Sequence, residues 1–260
     1  MGRVAGKVAI VTGAAKGLGE ADARLLAREG ATVIVADVDA ANGQRVAADI
    51  GGKAEFAHLD VTSEAAWKAL IDDVVARHGG LHILVNNAGV VKPDTPESIM
   101  EASYRFVMAV SIDGTVWGTK HAIPAMKKSG GGSIINMASI ASICGEPYVS
   151  SYCAAKGAIE AYSRATAVYC AQQKLPIRCN SIHPAGIDTP MVRSMPEQLM
   201  TADLGQLAEN NNAAGLNRLG EPNDIGWLVV FLASDESKFI SGQQFIVDNT
   251  ASVTQGAVPA

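Results

Sequence analysis

The run Lys7-Val-Ala-Ile-Val-Thr12, followed at once by Gly13-Ala-Ala-Lys16-Gly17-Leu18-Gly19, decides the fold. A short, nearly continuous apolar run reads as a strand buried on both faces, as parallel sheets require. The glycines then follow the spacing GxxxGxG and open a helical pattern over residues 18–28. Gly13 suits a tight turn, Gly17 leaves room beside a phosphate, and Gly19 lets helix and strand approach closely. The helix start offers unpaired N–H groups and a positive dipole end to a pyrophosphate. Such a stretch is also an ordinary glycine-rich turn. Its place between the first strand and the first helix is what points to a dinucleotide site that includes Lys16 and Leu18.

Working outward, strand-like runs recur at 32–36, 54–59, 81–86, 133–137, 177–182 and 244–248, the second of these weaker than the rest. Helical patterns lie between them at 64–77, roughly 96–128, 152–173 and 222–233. Strict alternation of the two predicts an α/β fold with a parallel sheet and helices on both faces. Right-handed crossovers make that sheet doubly wound, with ligands at the carboxyl ends of its strands. No repeat, low-complexity tract or linker divides the chain, so residues 1–260 read as a single Rossmann-type domain. The stretch 188–217 is long and rich in Met, Asn, Gln and Ala, and it reads as a lid over the sheet rim.

Composition sets the outer limits. Of 260 residues, 48% are hydrophobic and 18% charged, enough apolar matter for a large core. The net charge of −5 argues against a nucleic-acid partner. Apolar stretches break within about ten residues, short of the roughly twenty that span a bilayer. Residues 1–7 contain no apolar signal-peptide core, and Gly6 stands where a myristoylation motif needs Ser or Thr. The four cysteines, Cys144, Cys153, Cys170 and Cys179, form no CxxC pair and no zinc spacing, so they read as free thiols of a cytoplasmic protein. His78 and His82 are separated by Gly79-Gly80 and read as surface or strand-edge residues, leaving no metal site.

Several strand ends carry chemistry. Asp37 closes the second strand, where a carboxylate accepts hydrogen bonds from the adenosine ribose and repels a 2′-phosphate, favouring NAD over NADP. Lys16 argues the other way, since a cation in the glycine loop can meet that phosphate. Asp60-Val61 and Asn86-Asn87-Ala88-Gly89 follow the next two strands, where strand ends face the adenine and the cofactor bridge, and Asn86-Asn87-Ala88-Gly89 describes a plain turn equally well. Tyr152 and Lys156, four apart, share one helix face. A phenol has a pKa of about 10, and a nearby ammonium together with a positive nicotinamide ring is expected to lower it, so that Tyr152 serves as acid/base. Alone, the pair also describes a surface aromatic beside a solvated lysine. Ser139, just past the strand at 133–137, places a hydroxyl in the same crevice to hold a substrate oxygen. Pro184-Ala185-Gly186-Ile187-Asp188-Thr189 follows the sixth strand and is positioned to hold a nicotinamide carboxamide.

Taken together, these motifs resemble the short-chain dehydrogenase/reductase family over nearly the whole chain. The resemblance implies a seven-stranded Rossmann fold, a Ser139-Tyr152-Lys156 mechanism and a homotetramer built on the helices near 100–125 and 152–172 and the C-terminal strand. The segments Ile134-Ile-Asn-Met-Ala-Ser139, Asn180-Ser-Ile-His-Pro184 and Phe231-Leu-Ala-Ser-Asp-Glu-Ser237 look like bacterial hydroxysteroid dehydrogenases of the 3β/17β type. One departure stands out. In Val110-Ser111-Ile112-Asp113-Gly114, Ser111 occupies the place of a family asparagine that helps position a water between the lysine and solvent. That contact is thought to be largely main-chain, which keeps Ser111 a candidate member of the site. The fold so implied draws the pocket wall from 141–149, with Ile140, Ile143, Tyr148 and Val149 as lining. The lid contributes Met191, Val192, Met195 and Leu199. With no arginine cluster beyond Arg193, a small apolar alcohol or ketone fits better than a phosphorylated substrate. The rivals are an NADPH-dependent carbonyl or oxoacyl reductase of the same fold and a non-catalytic dinucleotide-binding regulator.

Overall fold

The computed structural model describes residues 2–201 and 219–253. Seven strands appear among them: β1 (Val8–Thr12), β2 (Thr32–Asp37), β3 (Ala54–His58), β4 (Ile83–Asn86), β5 (Gly132–Met137), β6 (Ile177–Pro184) and β7 (Gln244–Val247). The α-helices are α1 (Gly17–Arg28), α2 (Ala40–Ile50), α3 (Glu64–His78), α4 (Glu101–Met108), α5 (Gly114–Lys128), α6 (Ser150–Gln172), α7 (Pro190–Thr201) and α8 (Pro222–Ala233). All strand pairs are parallel, in the order β3-β2-β1-β4-β5-β6-β7. This is the doubly wound Rossmann arrangement the alternation predicts.

Side-chain alternation along the strands sorts the core into two layers. Ala9 and Val11 face the layer that holds Leu25 and Leu26 of α1, Val46 of α2, and Val229 and Val230 of α8. Val8 and Ile10 face the other, with Trp67, Leu70 and Val74 of α3, Met126 of α5 and Cys170 of α6. The central strands β1 and β4 are buried throughout, whereas the edge strands β3 and β7 are only partly covered. That gradient explains why the pattern at 54–59 is the weak one.

The register brings functional ends level. Thr12 pairs with Ala36, Asn86 with Asn136, Met137 with Ile182, and Pro184 with Val247. The chain winds outward from β1 through β2 to β3, then returns to place β4 on the other side of β1. That reversal opens a crevice at the carboxyl ends, where such folds bind ligands.

Three local differences from the sequence expectation have physical causes. The helix expected over 96–128 starts at Glu101, after a turn in which Thr95 and Ser98 bond one another. It is also interrupted by one π-helical turn, Ala109–Asp113; such turns cluster at functional sites. The helix α2 goes unnamed in the periodicity because only Gly43, Val46 and Ala47 of it are buried. Finally, α6 begins at Ser150 rather than Tyr152. Asp94, brought in from the distant 90s loop, accepts the Ser151 N–H at 3.1 Å and also the Ser151 hydroxyl, capping the helix start.

Candidate functional site

The end of β1 is stitched to the end of β4. The Thr12 hydroxyl accepts N–H bonds from Asn87 (3.1 Å) and Ala88 (3.0 Å), and the Asn87 amide donates to the Thr12 carbonyl at 2.8 Å. The glycine turn leaves this brace with Gly13 and Gly17 both at φ +62°. A Cβ on Gly19 would stand 2.3 Å from the Gly13 carbonyl oxygen, so α1 presses directly on the turn. Among the described residues no side chain caps the start of α1, which leaves its first N–H groups facing the crevice.

Asp37 is fixed by two backbone donors: Ala15 N–H reaches one carboxylate oxygen at 3.0 Å, and Asp39 N–H the other at 2.9 Å. Each oxygen retains a further acceptor position. Asp60 is held similarly by Thr62, through N–H at 2.9 Å and hydroxyl at 2.7 Å.

Across the crevice stand the hydroxyl, phenol and ammonium. Ser139 leaves β5 in extended backbone and caps a short 3-10 turn (Ile140–Ser142), its oxygen accepting Ala141 N–H at 3.2 Å. Burial pushes the Tyr152 phenol above its ordinary pKa; a hydrogen bond from Ser139 opposes this, and the nearby Cys153 adds to the rise. Lys156 is 2% exposed. Its ammonium donates to the Met137 carbonyl at 2.6 Å and lies 5.4 Å from the Tyr152 ring centroid. Burial brings it from 10.5 to about 8. In the protein itself desolvation is the largest influence on the phenol, and the Ser139 hydrogen bond opposes it.

Ser111 sits in the π turn, fully buried, and its hydroxyl has no hydrogen-bond partner among the described residues. Its carbonyl accepts the Thr115 hydroxyl at 2.7 Å. A Cβ on Gly89 would lie 3.3 Å from the Lys156 nitrogen and 3.8 Å from the Ser111 hydroxyl, which places both on the flank of the same glycine.

Apart from Ser111, which stays buried behind the lining, the nominated groups gather around one cavity of about 660 Å³. Gly13, Lys16, Gly17, Leu18, Asp37, Asp60 and Val61 line one end, and Asn87, Ala88 and Gly89 the middle. Ser139, Tyr152, Lys156, Pro184, Ile187 and Thr189 line the other. A dinucleotide fits what is present: a glycine turn without side-chain bulk, an uncapped helix start and an oriented carboxylate.

The chain matches a family profile described as Enoyl-(Acyl carrier protein) reductase over residues 13–250. A crystal structure from Burkholderia xenovorans assigned to the short-chain dehydrogenases/reductases superposes with a TM-score of 0.88 at 33% identity, covering 98% of this chain and 99% of that one. The chain belongs to the short-chain dehydrogenase/reductase family. It is accordingly an oxidoreductase of CH–OH groups that binds a nicotinamide dinucleotide. It is 40% identical to the 3-beta-hydroxysteroid dehydrogenase of Comamonas testosteroni, covering 95% of this chain and 96% of that protein. It is 39% identical to the NADP-dependent (R)-specific alcohol dehydrogenase of Lentilactobacillus kefiri, with the same coverage.

For this dehydrogenase/reductase, several residues that the sequence nominates for the site fall elsewhere. Gly186 and Gly19 do not line the cavity. Gly186 packs at Leu219, and its carbonyl accepts Gly220 N–H at 2.9 Å, closing the base of the excursion that follows Ile187. The pocket wall expected at 141–149 is displaced from the cavity lining, and Ile143 points outward, 45% exposed. Of the lid candidates, Met191 and Val192 line the cavity and Met195 does not. The Leu199 side chain and residues 202–217 of the lid lie outside the described residues. Arg193 is exposed and paired with Asp188 at 2.6 Å. In place of the 141–149 wall, Val90, Phe106, Ala109 and Val110 form the apolar side. Val90 directly follows the Asn86–Gly89 block, whereas nothing local marks Phe106 on α4 or Ala109 and Val110 on the π turn, which reach the rim from another part of the chain. Val38 and Asp39 also line the adenosine end, and their position just beyond the Asp37 strand end is a signal that finds them. No described helix is long and apolar enough to cross a membrane.

Proposed function

We propose that the protein is an NAD-dependent dehydrogenase that interconverts a secondary alcohol and its ketone, with a small, apolar, cyclic substrate such as a hydroxysteroid. The observation that carries this reading is the convergence of Ser139, Tyr152 and Lys156 on one wall of a cavity whose far end holds the glycine turn and Asp37. Bound there, the nicotinamide supplies the hydride acceptor or donor. Tyr152 takes the hydroxyl proton of the alcohol, or returns it to the ketone oxygen, while Ser139 holds that oxygen. Lys156, near neutrality in its own titration, exchanges protons with the phenol side. Ser111, beside the same glycine, continues that path.

Support for NAD comes from Asp37 and Asp39, two carboxylates at the adenosine end; a 2′-phosphate there meets Coulomb repulsion. Lys16 lines the same end and favours the rival NADPH reductase, as does the NADP-dependent Lentilactobacillus relative. Titration with both cofactors separates the two. Support for an apolar substrate comes from Val90, Phe106, Val110, Met191 and Val192 in the cavity lining, and from the hydroxysteroid relative. Exposed Val168 and Tyr169 on α6, and Phe239 before β7, suit the faces of a homotetramer. Four free thiols suit the reducing cytoplasm.

The test is Tyr152→Phe, read by NADH absorbance with a panel of steroid, cyclic, aryl and aliphatic alcohols. Turnover falls by about 10²–10⁴-fold, the usual worth of a positioned acid/base, while NAD binding persists. Unchanged turnover removes Tyr152 from the chemistry, and a wild-type protein inert to every alcohol favours the non-catalytic reading.

A further inference from the structure

A polar chain lies behind Ser139, on the side away from the cavity. The last backbone tie between β5 and β6 is the Ala138 N–H to the Ile182 carbonyl at 2.8 Å. From Ser139 onward the chain turns away from the sheet, and the next residue of β6, His183, takes over the contact. Its Nδ1 lies 2.8 Å from the Ser142 hydroxyl and 3.3 Å from the Ser139 carbonyl. The Ser142 hydroxyl donates to that same carbonyl at 2.6 Å. On the other side of the ring, Nε2 lies 2.8 Å from the Ser181 hydroxyl.

We propose that His183 is a positioning residue for the reaction: through Ser142 it fixes the turn that aims the Ser139 hydroxyl at Tyr152. The hydrogen-bond pattern assigns the proton to Nδ1, which donates toward Ser142, while Nε2 accepts from Ser181. A neutral ring satisfies every partner in this chain, and burial, the largest influence on His183, holds it neutral. Charged groups bearing on the ring are Glu160, Lys156 and Arg164, all on α6. Glu160 stands one helical turn beyond Lys156. Burial is the largest influence on its carboxyl and pushes it up, but the hydrogen bond from Arg164, at 2.6 Å, and the Arg164 charge oppose it, and the carboxyl lies below its ordinary value. The Ser139 turn is thus held from β6 by His183, which lies beside α6. The same α6 carries Tyr152 and Lys156, and the same β6 runs on into Pro184 at the cavity wall. A strand end alone leaves the Ser139 χ1 free; this grip fixes the turn from which the hydroxyl projects, and small displacements at such positions are costly.

The inference rests on Tyr152 being the acid/base. It is tested with His183→Leu, which removes both ring contacts, and His183→Asn, whose amide restores a donor near Nδ1. In His183→Leu, kcat falls about tenfold or more, with the NAD KM within about twofold, because orientation rather than cofactor binding is lost. The ascending, acid-side limb of the kcat/KM profile for alcohol oxidation also moves to higher pH, since the Ser139 hydrogen bond no longer lowers the phenol. His183→Asn recovers kcat to within about threefold. Wild-type kcat and an unmoved limb in His183→Leu overturn the inference, as does a His183→Asn variant equally impaired. If His183→Leu does not fold, Ser142→Ala is read instead: a lower kcat with the same alkaline shift supports the inference, and a wild-type profile overturns it. Active Tyr152→Phe defeats the reaction reading itself, whereas inactive Tyr152→Phe beside a normal His183→Leu defeats only the role of His183.

Discussion

Replacing Lys156 by methionine should abolish turnover and yet stabilise the protein without cofactor. Burial takes the ammonium from 10.5 to about 8, a gap of about 2.5 pH units at about 1.4 kcal/mol each. The folded chain therefore carries on the order of 3 kcal/mol of unfavourable charge burial at neutral pH. Methionine keeps the length and apolar bulk of the side chain but gives up the 2.6 Å bond to the Met137 carbonyl, at a cost of about 1–2 kcal/mol. The net gain is about 1–2 kcal/mol at pH 7, or roughly 2–8 °C in Tm for a chain of this size. The sign of the pH dependence is fixed by the direction of the change. Because the folded pKa is depressed, the unfolded state binds more protons between about pH 8 and 10.5, and wild-type stability rises with pH across that window. The advantage of Lys156→Met is greatest below pH 8 and shrinks toward pH 10.5. Urea denaturation at pH 7, 8, 9 and 10, at one protein concentration, measures it. A variant less stable than wild type at pH 7, or a difference that does not change with pH, refutes the reasoning.

Two further perturbations follow from the same physics. Asp22 on α1 is fully buried against the α8 side, with both oxygens lacking partners among the described residues, and burial raises its carboxyl well above 3.8. Asp22→Ala should add about 1–3 kcal/mol at pH 7. Wild-type stability should fall as pH rises from about 4 toward the raised folded value, and the variant should lose that slope, as denaturation across pH 4–8 will register. Asp37→Asn removes the charge at the adenosine end, so the ratio of kcat/KM with NADPH to that with NADH should rise by about tenfold or more, equivalent to about 1.4 kcal/mol; an unchanged ratio takes cofactor choice away from Asp37.

Much of the molecule is written locally. The run from Lys7 to Gly19 fixes a strand, a turn and a helix start within a few residues of one another, because buried parallel strands need continuous apolar side chains and left-handed turn positions need glycine. The 3.6-residue period likewise places Tyr152 and Lys156 on one face. By themselves, then, the residues determine the doubly wound sheet and its glycine turn, and they nominate Ser139, Tyr152, Lys156 and Asp37. What the linear pattern does not hold is anything set by contacts between distant segments. The Asp94 cap on α6 joins residues 57 apart, and the His183 contact with Ser142 joins residues 41 apart. The π turn under Ser111, the apolar wall that Phe106, Ala109 and Val110 bring to the rim, and the displacement of 141–149 from the cavity are of the same kind. So are the titrations of Tyr152 and Lys156. Sequence supplies the ionisable groups, but desolvation is a property of everything packed around them, and only the folded chain sets which charge is costly.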